Sequence, residues 1–420
     1  MRISVIGTGY VGLVTGLCLA ELGHQVTCID IDEGKVDSIN RGESPIFEMG
    51  TGELLGKHLA SGEFRASSDP LDIAQSDITF VSVGTPSRED GSLDLTYLEK
   101  AARDVGEALG PKKGYHLVVV KSTVMPTTTE RVILPILEKH SGKEAGKDFG
   151  LCMNPEFLRE GMAIHDFFHP DRVVIGALDE RSSRLLLSIY EGFDCPMMVV
   201  DLATAEMIKV ASNAFLATKI SFINEIGNIC KAMGIDVREV AEGMGQDSRI
   251  SPKFLRAGCG FGGSCFPKDV KGLAAEARKL GIEPVMLGAL LEVNEGQPEI
   301  LVQLLKRRMD IKGKTIAVLG LAFKPDTDDI RESRAIPLVQ KLLESGATVL
   351  CHDPQASESF GKLFTTVKVY TSAEECVSNA DAVVIVTEWS EYSNPSLYGD
   401  KLVIDGRGVV RTRNYEGICW

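Results

Sequence analysis

The sequence predicts an α/β protein with two Rossmann-like, doubly wound domains joined by a long central helical region. Three observations carry this prediction. Residues 3–22 run from a short apolar strand through a glycine-rich turn into a helix, and residues 314–320 repeat the strand and the glycine turn. Between them, residues 203–233 have apolar side chains at helical spacing and few breakers. We therefore expect three domains, at residues 1–200, 201–298 and 299–420.

The overall composition excludes several classes of partner. The 420 residues include 45 basic and 59 acidic side chains, which give a formal net charge of −14. Such a surface repels nucleic acid and anionic lipid, so neither is an expected partner. No apolar run approaches the roughly 18 residues of a membrane span. The ten cysteines are scattered without a C-x-x-C pair, so we expect reduced thiols and a cytoplasmic protein.

The amino terminus carries a dinucleotide-binding pattern. The apolar run Ile3–Ile6 leads directly into Gly7, Gly9 and Gly12 before a helical stretch. Gly7 permits a tight turn, Gly9 lets the backbone approach a pyrophosphate, and Gly12 lets the helix pack closely on the strand. A second strand ends at Asp30, whose carboxylate can accept hydrogen bonds from the adenosine ribose and would repel a 2′-phosphate. The pattern therefore predicts NAD rather than NADP.

Later strand ends supply further candidates for the same cofactor. The apolar strands at residues 78–83 and 117–120 are followed by Thr85 and Thr123. Because the carboxyl ends of parallel strands line the ligand crevice, we interpret these threonines as contacts to the nicotinamide half, with turn hydroxyls as the alternative. Lys35 is either a contact at the adenosine end or a solvated helix lysine.

A single cysteine stands at a predicted helix start in the second half of the chain. Cys265 follows small residues and precedes Pro267, Lys268 and Asp269. Proline suits the first helical turn, where free N–H groups and the helix dipole favour a thiolate. The pattern predicts an activated thiol, and an inert buried thiol is the alternative.

The long central helix carries a lysine and an amide one turn apart. Lys209 and Asn213 are four residues apart, so they share a helix face. Such a pair suits stabilisation of an alkoxide or proton transfer, and the alternative is a lysine that merely extends to solvent. The same helix is a candidate subunit contact.

Two neighbouring patterns carry weaker predictions. Residues 154–161 combine turn residues with two carboxylates, as many surface loops do. His165 and His169 have the spacing of a zinc pair, but no third ligand lies near them in the sequence, so we expect no metal.

The carboxy-terminal third carries a partial second nucleotide pattern. The composition turns polar at residues 298–314, and the strand and glycine turn at 314–320 precede a helix at 336–343 and a strand at 348–351. Only part of the dinucleotide fingerprint is present, so we expect this part to bind a different nucleotide. Its candidate cations are Lys324, Arg331, Arg334 and Arg407.

Taken together, these motifs resemble the UDP-glucose/GDP-mannose dehydrogenase family. The similarity runs from Met1 to about Arg407. It includes the sequences at residues 7–12, 83–86, 90–95, 121–124, 154–160, 261–269, 322–325 and 331–332, together with Lys209 and Asn213. The resemblance implies a NAD-dependent oxidation of a nucleotide-sugar alcohol to the acid, with two NAD per substrate. The cysteine would form a thiohemiacetal and then a thioester.

The resemblance also implies roles for individual residues. The implied catalytic residues are Cys265, Lys209, Asp269, Asn213, Glu156 and Thr123. The implied cofactor contacts are Gly7, Gly9, Tyr10, Val11, Gly12, Asp30, Lys35, Thr85, Thr123, Glu160, Lys268 and Arg331. The implied substrate contacts are Glu156, Phe157, Leu158, Arg159, Glu160, Lys209, Asn213, Arg249, Phe254, Leu255, Arg256, Ala257, Gly258, Gly262, Lys324 and Arg407, with Arg249 reaching the site from a neighbouring subunit.

Within the family, the resemblance favours UDP-glucose as the substrate. Arg249, Arg407 and Phe266 are similar to the UDP-glucose branch, whereas residues 141–146 and 416–420 are similar to the GDP-mannose branch. GDP-mannose is therefore the alternative substrate. A two-electron hydroxyacid dehydrogenase, which needs no thiol, and a non-catalytic nucleotide-binding protein stay open as other functions. A homodimer or a higher homo-oligomer is the expected assembly.

Overall fold

The computed structural model describes all residues from Met1 to Trp420. The chain divides into two units, Met1–Ser212 and Asn213–Trp420. The helix Leu202–Met233 contains the point of division.

The first unit is built on one eight-stranded sheet. Its strands are β1 (Arg2–Ile6), β2 (Gln25–Ile29), β3 (Phe64–Ser67), β4 (Ile78–Val81), β5 (His116–Val120), β6 (Phe149–Met153), β7 (Val173–Ala177) and β8 (Met197–Val200). The order is β3-β2-β1-β4-β5-β6-β7-β8, and only the β6–β7 pair is antiparallel. The first six strands have the doubly wound order, whose ligand crevice lies where the order reverses, beside β1 and β4.

Helices accompany these strands, and their packing explains the strand sequences. The helices are α1 (Tyr10–Glu21), α2 (Glu33–Asn40), α3 (Thr51–Ser61), α4 (Thr96–Leu109), α5 (Leu134–Ser141), α6 (Ala163–Phe168), α7 (Glu180–Leu187) and α8 (Leu202–Met233). Every residue of β4, β5 and β6 is buried. Strands covered on both faces are continuous apolar runs, which is the pattern that these segments show.

The second unit contains a smaller parallel sheet and the helices that precede and flank it. Its helices are α9 (Val237–Gly245), α10 (Phe266–Lys279), α11 (Val285–Arg308), α12 (Ala335–Glu344), α13 (Ser357–Leu363) and α14 (Ala373–Ser378). Its strands are β9 (Thr315–Leu319), β10 (Thr348–His352), β11 (Lys368–Tyr370), β12 (Ala382–Ile385), β13 (Leu402–Asp405) and β14 (Tyr415–Gly417). The order β11-β10-β9-β12-β13-β14, parallel throughout, repeats the doubly wound arrangement.

The predicted fold class is therefore confirmed. The polar stretch 298–314, near which the second Rossmann-like unit is expected to begin, starts inside α11, which continues through Pro298 to Arg308. The helix persists because Leu301 and Leu305 bury an apolar face against the core of the unit. The three-domain division itself stays a prediction.

The structure contains no disulfide, and all ten cysteines are free thiols. No group of three or more His, Cys, Asp or Glu side chains has the arrangement of a metal site. None of the helices, α8 and α11 included, combines the length and the apolarity that crossing a membrane requires.

Candidate active site

The turn between β1 and α1 has the geometry of a dinucleotide site. Gly7 has a φ of 93°, which residues with side chains rarely adopt. A Cβ on Gly12 would lie 1.9 Å from the Gly7 carbonyl oxygen, so only glycine allows this close packing of α1. A Cβ on Gly9 would meet no atom within 4 Å. Internal packing does not require glycine at position 9, and the open space beside its backbone fits a pyrophosphate.

Asp30 is fixed at the carboxyl end of β2. Its Oδ2 accepts hydrogen bonds from the backbone N–H (2.7 Å) and the hydroxyl (2.6 Å) of Thr8, and its Oδ1 accepts one from the Asp32 N–H. Burial raises the pKa of Asp30, but these hydrogen bonds and the charge of the exposed Lys35 outweigh it, so the pKa lies below its ordinary value. An ionised, partly exposed carboxylate here fits the ribose of NAD.

Further predicted cofactor residues lie at the same edge of this sheet. Thr85 Oγ1 donates a hydrogen bond to the Thr123 carbonyl oxygen at 2.8 Å, which joins the segments after β4 and β5. The Tyr10 hydroxyl accepts a hydrogen bond from the Gly161 N–H at 2.5 Å, which joins the start of α1 to the loop after β6. Val11 is partly buried on α1. The structure thus joins the segments after β4 and β5, and separately those after β1 and β6, at the carboxyl-terminal edge of the strands.

A buried ion pair joins α8 to the loop after β6. Lys209 Nζ lies 2.8 Å from Glu156 Oε1 and also donates to the Glu156 carbonyl oxygen at 2.7 Å. Burial by itself raises the pKa of Glu156, but the charge and hydrogen bond of Lys209, the Leu158 N–H and the charge of Lys121 bring it below its ordinary value. Glu156 is therefore held as a carboxylate.

Lys121 is a second buried lysine and was not among the predicted site residues. It directly follows β5, is 4% exposed, and donates to Asn154 Oδ1 at 3.0 Å. The same oxygen accepts a hydrogen bond from the Tyr190 hydroxyl at 2.6 Å. Burial lowers the pKa of Lys121 to about 8, although the carboxylate of Glu156 raises it. Its position at the carboxyl end of a buried parallel strand was the signal that could have identified it.

The loop after β6 holds a run of predicted substrate contacts: Glu156, Phe157, Leu158, Arg159 and Glu160. The Phe157 ring lies against two cations, with Arg172 Cζ 3.9 Å and Lys209 Nζ 5.4 Å from its centroid. The Arg159 guanidinium donates two hydrogen bonds to Asp166, at 2.9 and 2.6 Å. The structure thus groups these residues in one loop, and their contact with substrate stays a prediction.

In the second unit, Cys265 is the residue immediately before α10, and Pro267 lies in the first turn of that helix. Cys265 and Cys195 are the two cysteines that are not fully buried. The N-terminus of a helix favours a thiolate because its N–H groups are free and its dipole is positive there. The position that the sequence predicts for this thiol is therefore the one observed, and its chemical role stays a prediction.

Asp269 connects the thiol segment to α8. It is fully buried and accepts hydrogen bonds from Asn213 Nδ2 at 2.6 Å and from Lys268 Nζ at 2.8 Å. Its backbone N–H donates to the Cys265 carbonyl oxygen at 2.9 Å. Three predicted catalytic residues, Cys265, Asp269 and Asn213, thus form one connected group. Lys268, predicted as a cofactor contact, contacts the second oxygen of the same carboxylate.

The segment that leads to the thiol carries another run of predicted substrate contacts: Phe254, Leu255, Arg256, Ala257, Gly258 and Gly262. Phe254 has a φ of 64°, an unusual conformation for a bulky residue, and its ring centroid lies 6.2 Å from that of Phe266. Leu255 and Gly258 are buried. The segment has the irregular, packed backbone that is common at ligand sites.

The carboxylate that follows β10, that of Asp353, has different surroundings from the Asp30 carboxylate that follows β2. Asp353 is 2% exposed, and its Oδ2 accepts hydrogen bonds from the Leu321 and Ala322 N–H groups and from Trp389 Nε1. A carboxylate surrounded in this way offers little to a ribose. The second sheet therefore repeats the fold without repeating the open acceptor of the first.

The predicted cations of the second unit have partners of their own. Arg331 donates to both oxygens of Asp329, at 2.9 and 2.6 Å. Arg249 pairs with Asp247 and is 87% exposed, and Lys324 is partly buried. Arg407 donates to the backbone carbonyl oxygens of Val386 and Gly260. The contacts of these residues with cofactor or substrate stay predictions.

Comparison with known proteins gives three family matches in chain order. The NAD-binding domain model of the UDP-glucose/GDP-mannose dehydrogenase family matches residues 1–194, the central domain model matches residues 203–296, and the UDP-binding domain model matches residues 317–412. Together they cover most of the chain.

Full-length relatives match as well. The UDP-glucose 6-dehydrogenase AglM of Haloferax volcanii is 47% identical over an alignment of 430 positions, which covers 100% of both chains. A GDP-mannose 6-dehydrogenase of Pseudomonas putida is 39% identical, also over 100% of both chains. Among solved structures, a UDP-glucose dehydrogenase from the archaeon Pyrobaculum islandicum has a TM-score of 0.96 and 44% identity, covering 100% of this chain and 98% of its own.

Proposed function

Because the chain belongs to the UDP-glucose/GDP-mannose dehydrogenase family, we propose that it is a NAD-dependent UDP-glucose 6-dehydrogenase. It oxidises C6 of UDP-glucose by four electrons and forms UDP-glucuronate. The higher identity to UDP-glucose enzymes, 47% against 39% for a GDP-mannose enzyme, supports this substrate. GDP-mannose, which needs the same chemistry and a different base pocket, is the less supported alternative.

The observation that carries the proposal is the partly exposed thiol of Cys265 at the N-terminus of α10. Oxidation of an alcohol to an aldehyde needs no thiol. Oxidation onward to a carboxylate does benefit from one, because a covalent thiohemiacetal keeps the aldehyde from escaping. A two-electron hydroxyacid dehydrogenase would leave this thiol without a function.

NAD is held by the first unit. Gly7, Gly9 and Gly12 form the turn for the pyrophosphate, and Asp30 accepts the ribose hydroxyls. Bound there, NAD supplies the hydride acceptor for each of the two oxidations.

Lys209 and Asn213 act on the reacting oxygen in the first oxidation. The Lys209 ammonium stabilises the alkoxide that forms as the C6 hydroxyl loses its proton, and the Asn213 amide orients that oxygen. Lys209 is 3% exposed, and a charge removed from water stabilises a developing anion by several kcal/mol, more than it would at the surface. The hydroxyl proton passes to a base or to water.

Cys265 carries the second half of the reaction. Its thiolate adds to the aldehyde carbon, a C–S bond forms, and the oxygen takes up a proton to give the thiohemiacetal. Loss of a hydride and of the hydroxyl proton leaves a thioester. Water then adds to the thioester carbonyl, the C–S bond breaks, and the carboxylate leaves. Asp269 assists proton transfer or positions the water, and Glu156 and Thr123 support this hydrolysis.

The assembly is a homodimer or higher homo-oligomer that uses α8. Phe215, Phe222 and Ile229 follow one another at seven-residue spacing, so they lie along one face, and they are 66%, 46% and 51% exposed. An exposed stripe of large apolar residues is typical of a subunit contact.

The three domains at residues 1–200, 201–298 and 299–420 belong to the same proposal, which the three matched ranges support. The cytoplasmic location stays a sequence prediction.

The proposal is tested by product stoichiometry. The protein is incubated with excess NAD and either UDP-glucose or GDP-mannose, NADH is counted by absorbance, and the sugar product is identified by mass spectrometry. We expect two NADH for each UDP-glucuronate. Turnover of GDP-mannose alone would assign the other branch of the family. One NADH and a released aldehyde would contradict the thiol chemistry, and binding without any NADH would indicate a non-catalytic protein.

A further inference from the structure

Both polar backbone groups of Gly258 are bound by buried amide side chains. The Gly258 N–H donates to Asn224 Oδ1 at 2.7 Å. The Gly258 carbonyl oxygen accepts from Gln297 Nε2 at 3.1 Å. Asn224 lies on α8 and Gln297 on α11, and both are 0% exposed. Asn224 Nδ2 makes no hydrogen bond with the protein, so the bond to Gly258 is the one that this side chain provides.

A third amide binds both backbone groups of Phe261. The Phe261 N–H donates to Asn294 Oδ1 at 2.7 Å, and Asn294 Nδ2 donates to the Phe261 carbonyl oxygen at 3.0 Å. Asn294 is 2% exposed and lies three residues before Gln297 on α11, so the two amides share one helix face. We name Asn224, Asn294 and Gln297 the amide clamp.

Arg407 binds the remaining part of this backbone. Its Nη2 donates to the Gly260 carbonyl oxygen at 3.1 Å, while its Nε donates to the Val386 carbonyl oxygen at 2.8 Å. The residues 258–261 are all buried. Irregular backbone is normally at the surface, where water satisfies its polar groups. Here the side chains of the amide clamp and Arg407 replace water as the hydrogen-bond partners. A buried N–H or C=O without a partner would cost about 1–3 kcal/mol of stability.

The two glycines between Phe261 and the thiol, Gly262 and Gly263, also contact the backbone of Arg331 and Glu332. The Gly263 N–H donates to the Arg331 carbonyl oxygen at 2.9 Å. A Cβ on Gly262 would lie 2.3 Å from the Glu332 carbonyl oxygen, so this glycine lies directly on that backbone. We name residues 258–265 the thiol loop. Its backbone is held on one side by the amide clamp and Arg407 and on the other by the backbone of Arg331 and Glu332.

We propose that Asn224, Asn294 and Gln297 are positioning residues for the reaction, which hold the thiol loop in the conformation that presents Cys265 to the sugar. The inference rests on the proposed function. None of the three touches the reacting atoms by this account, and each acts through the backbone of the thiol loop. Because the loop is held in advance, little ordering is left for substrate binding, and a small displacement of the thiol is costly to the rate.

The test compares Asn294→Ala with Ser221→Ala. Ser221 Oγ donates to the Leu290 carbonyl oxygen at 2.7 Å, so this control also removes a buried hydrogen bond between α8 and α11, but it does not touch the thiol loop. Each variant is assayed for kcat, for KM of UDP-glucose and of NAD, for thermal midpoint, and for the rate at which iodoacetamide alkylates Cys265, read by mass spectrometry.

We expect Asn294→Ala to lower kcat/KM for UDP-glucose roughly 10- to 100-fold and to change the Cys265 alkylation rate, with the KM of NAD within twofold. Ser221→Ala should lower the thermal midpoint but leave the kinetic constants and the alkylation rate within twofold. Equal losses in both variants, or an unchanged alkylation rate and unchanged constants in Asn294→Ala, would overturn the proposal.

Gln297→Ala, which removes one hydrogen bond to the Gly258 carbonyl oxygen and one from Asn228 Nδ2, is the second variant if Asn294→Ala does not fold. A smaller change in the same constants is expected, and no change in any of them would overturn the proposal. The alkylation rate does not depend on the identity of the sugar. If the wild-type protein does not oxidise UDP-glucose, the proposed function fails, while the alkylation comparison still decides whether the amide clamp positions Cys265.

Discussion

Lys209 Nζ and Glu156 Oε1 lie 2.8 Å apart in an ion pair whose side chains are 3% and 6% exposed. Removing one member of such a pair leaves an uncompensated buried charge, which costs more than the net value of the pair. The pair also brings α8 to the loop of predicted substrate contacts. Glu156 therefore links the stability of the first unit to the placement of the lysine that we assign to the reacting oxygen.

Glu156→Gln tests this link through pH. The pKa of Glu156 in the folded protein lies below the ordinary 4.5, so the ionised carboxylate contributes stability that is present above pH 4.5 and is lost as pH falls through the lowered pKa. We expect wild-type protein to exceed Glu156→Gln in thermal midpoint at pH 7 and the difference to shrink below pH 4.5. The control Glu358→Gln, in an exposed pair with Lys362, should change little at either pH. A difference that is independent of pH would contradict the assignment.

Lys121 gives a second pH dependence, in which the charged form of the side chain destabilises the fold. Its folded pKa of about 8 lies below the ordinary 10.5, so the buried charge destabilises the fold fully below pH 8, and this penalty is relieved as pH rises toward 10.5. Lys121→Gln keeps a donor for Asn154 without the charge. We expect the stability of the wild type relative to this variant to rise by a few kcal/mol between pH 8 and 10.5, measured by thermal or denaturant unfolding. The exposed Lys362→Gln should show no such rise.

The thiol chemistry is tested with Cys265→Ala. We expect formation of UDP-glucuronate to fall by about 10³-fold or more, because no covalent intermediate can form. Cys195→Ala is the matched control, since Cys195 is the other cysteine that is not fully buried, and burial raises the pKa of its thiol. Two NADH per sugar at the wild-type rate from Cys265→Ala would rule out covalent catalysis.

Gly9 and Gly12 should respond differently to alanine. Gly9→Ala should fold with an unchanged thermal midpoint, because its Cβ meets no atom within 4 Å, but should weaken NAD binding about tenfold or more by occupying the space for the pyrophosphate. Gly12→Ala should lower the thermal midpoint, because its Cβ would lie 1.9 Å from a carbonyl oxygen. Gly56→Ala in α3, which also meets nothing within 4 Å, should retain NAD affinity measured by calorimetry. Equal NAD affinity in Gly9→Ala would exclude this turn as the pyrophosphate site.

The proposed subunit contact is tested with Phe222→Glu. A charge in the centre of the apolar stripe on α8 should shift the protein toward monomer, because burying an unpaired carboxylate at an interface is costly. Light scattering after gel filtration measures the mass. Leu363→Glu, at another exposed apolar residue of the same unit, should leave the assembly unchanged. An oligomer that survives Phe222→Glu intact would place the contact elsewhere.

The positions of several candidate site residues could be predicted from the sequence because they follow from local rules. Asp30 comes directly after β2, and Thr85 and Thr123 lie in the segments that follow β4 and β5, and parallel strands place such residues at one edge. Cys265 lies two residues before Pro267, and proline is common in the first turn of a helix. Its position at the N-terminus of α10 could therefore be predicted. A helix that continues through a proline is harder to predict, and the buried leucines that follow Pro298 keep α11 continuous to Arg308.

The two doubly wound sheets, the glycine turn with Asp30 and the thiol at a helix start can be predicted from the amino-acid sequence. These features depend on strand length, glycine placement and helix signals within short stretches of chain. Folding in three dimensions is what brings the charge of Glu156 close to Lys121, the Trp389 ring nitrogen to Asp353, and three amide side chains to the backbone before Cys265. Such contacts join residues 33 or more positions apart, as in Asn224 with Gly258 and Phe261 with Asn294, and no periodicity encodes which side chains packing will bring together.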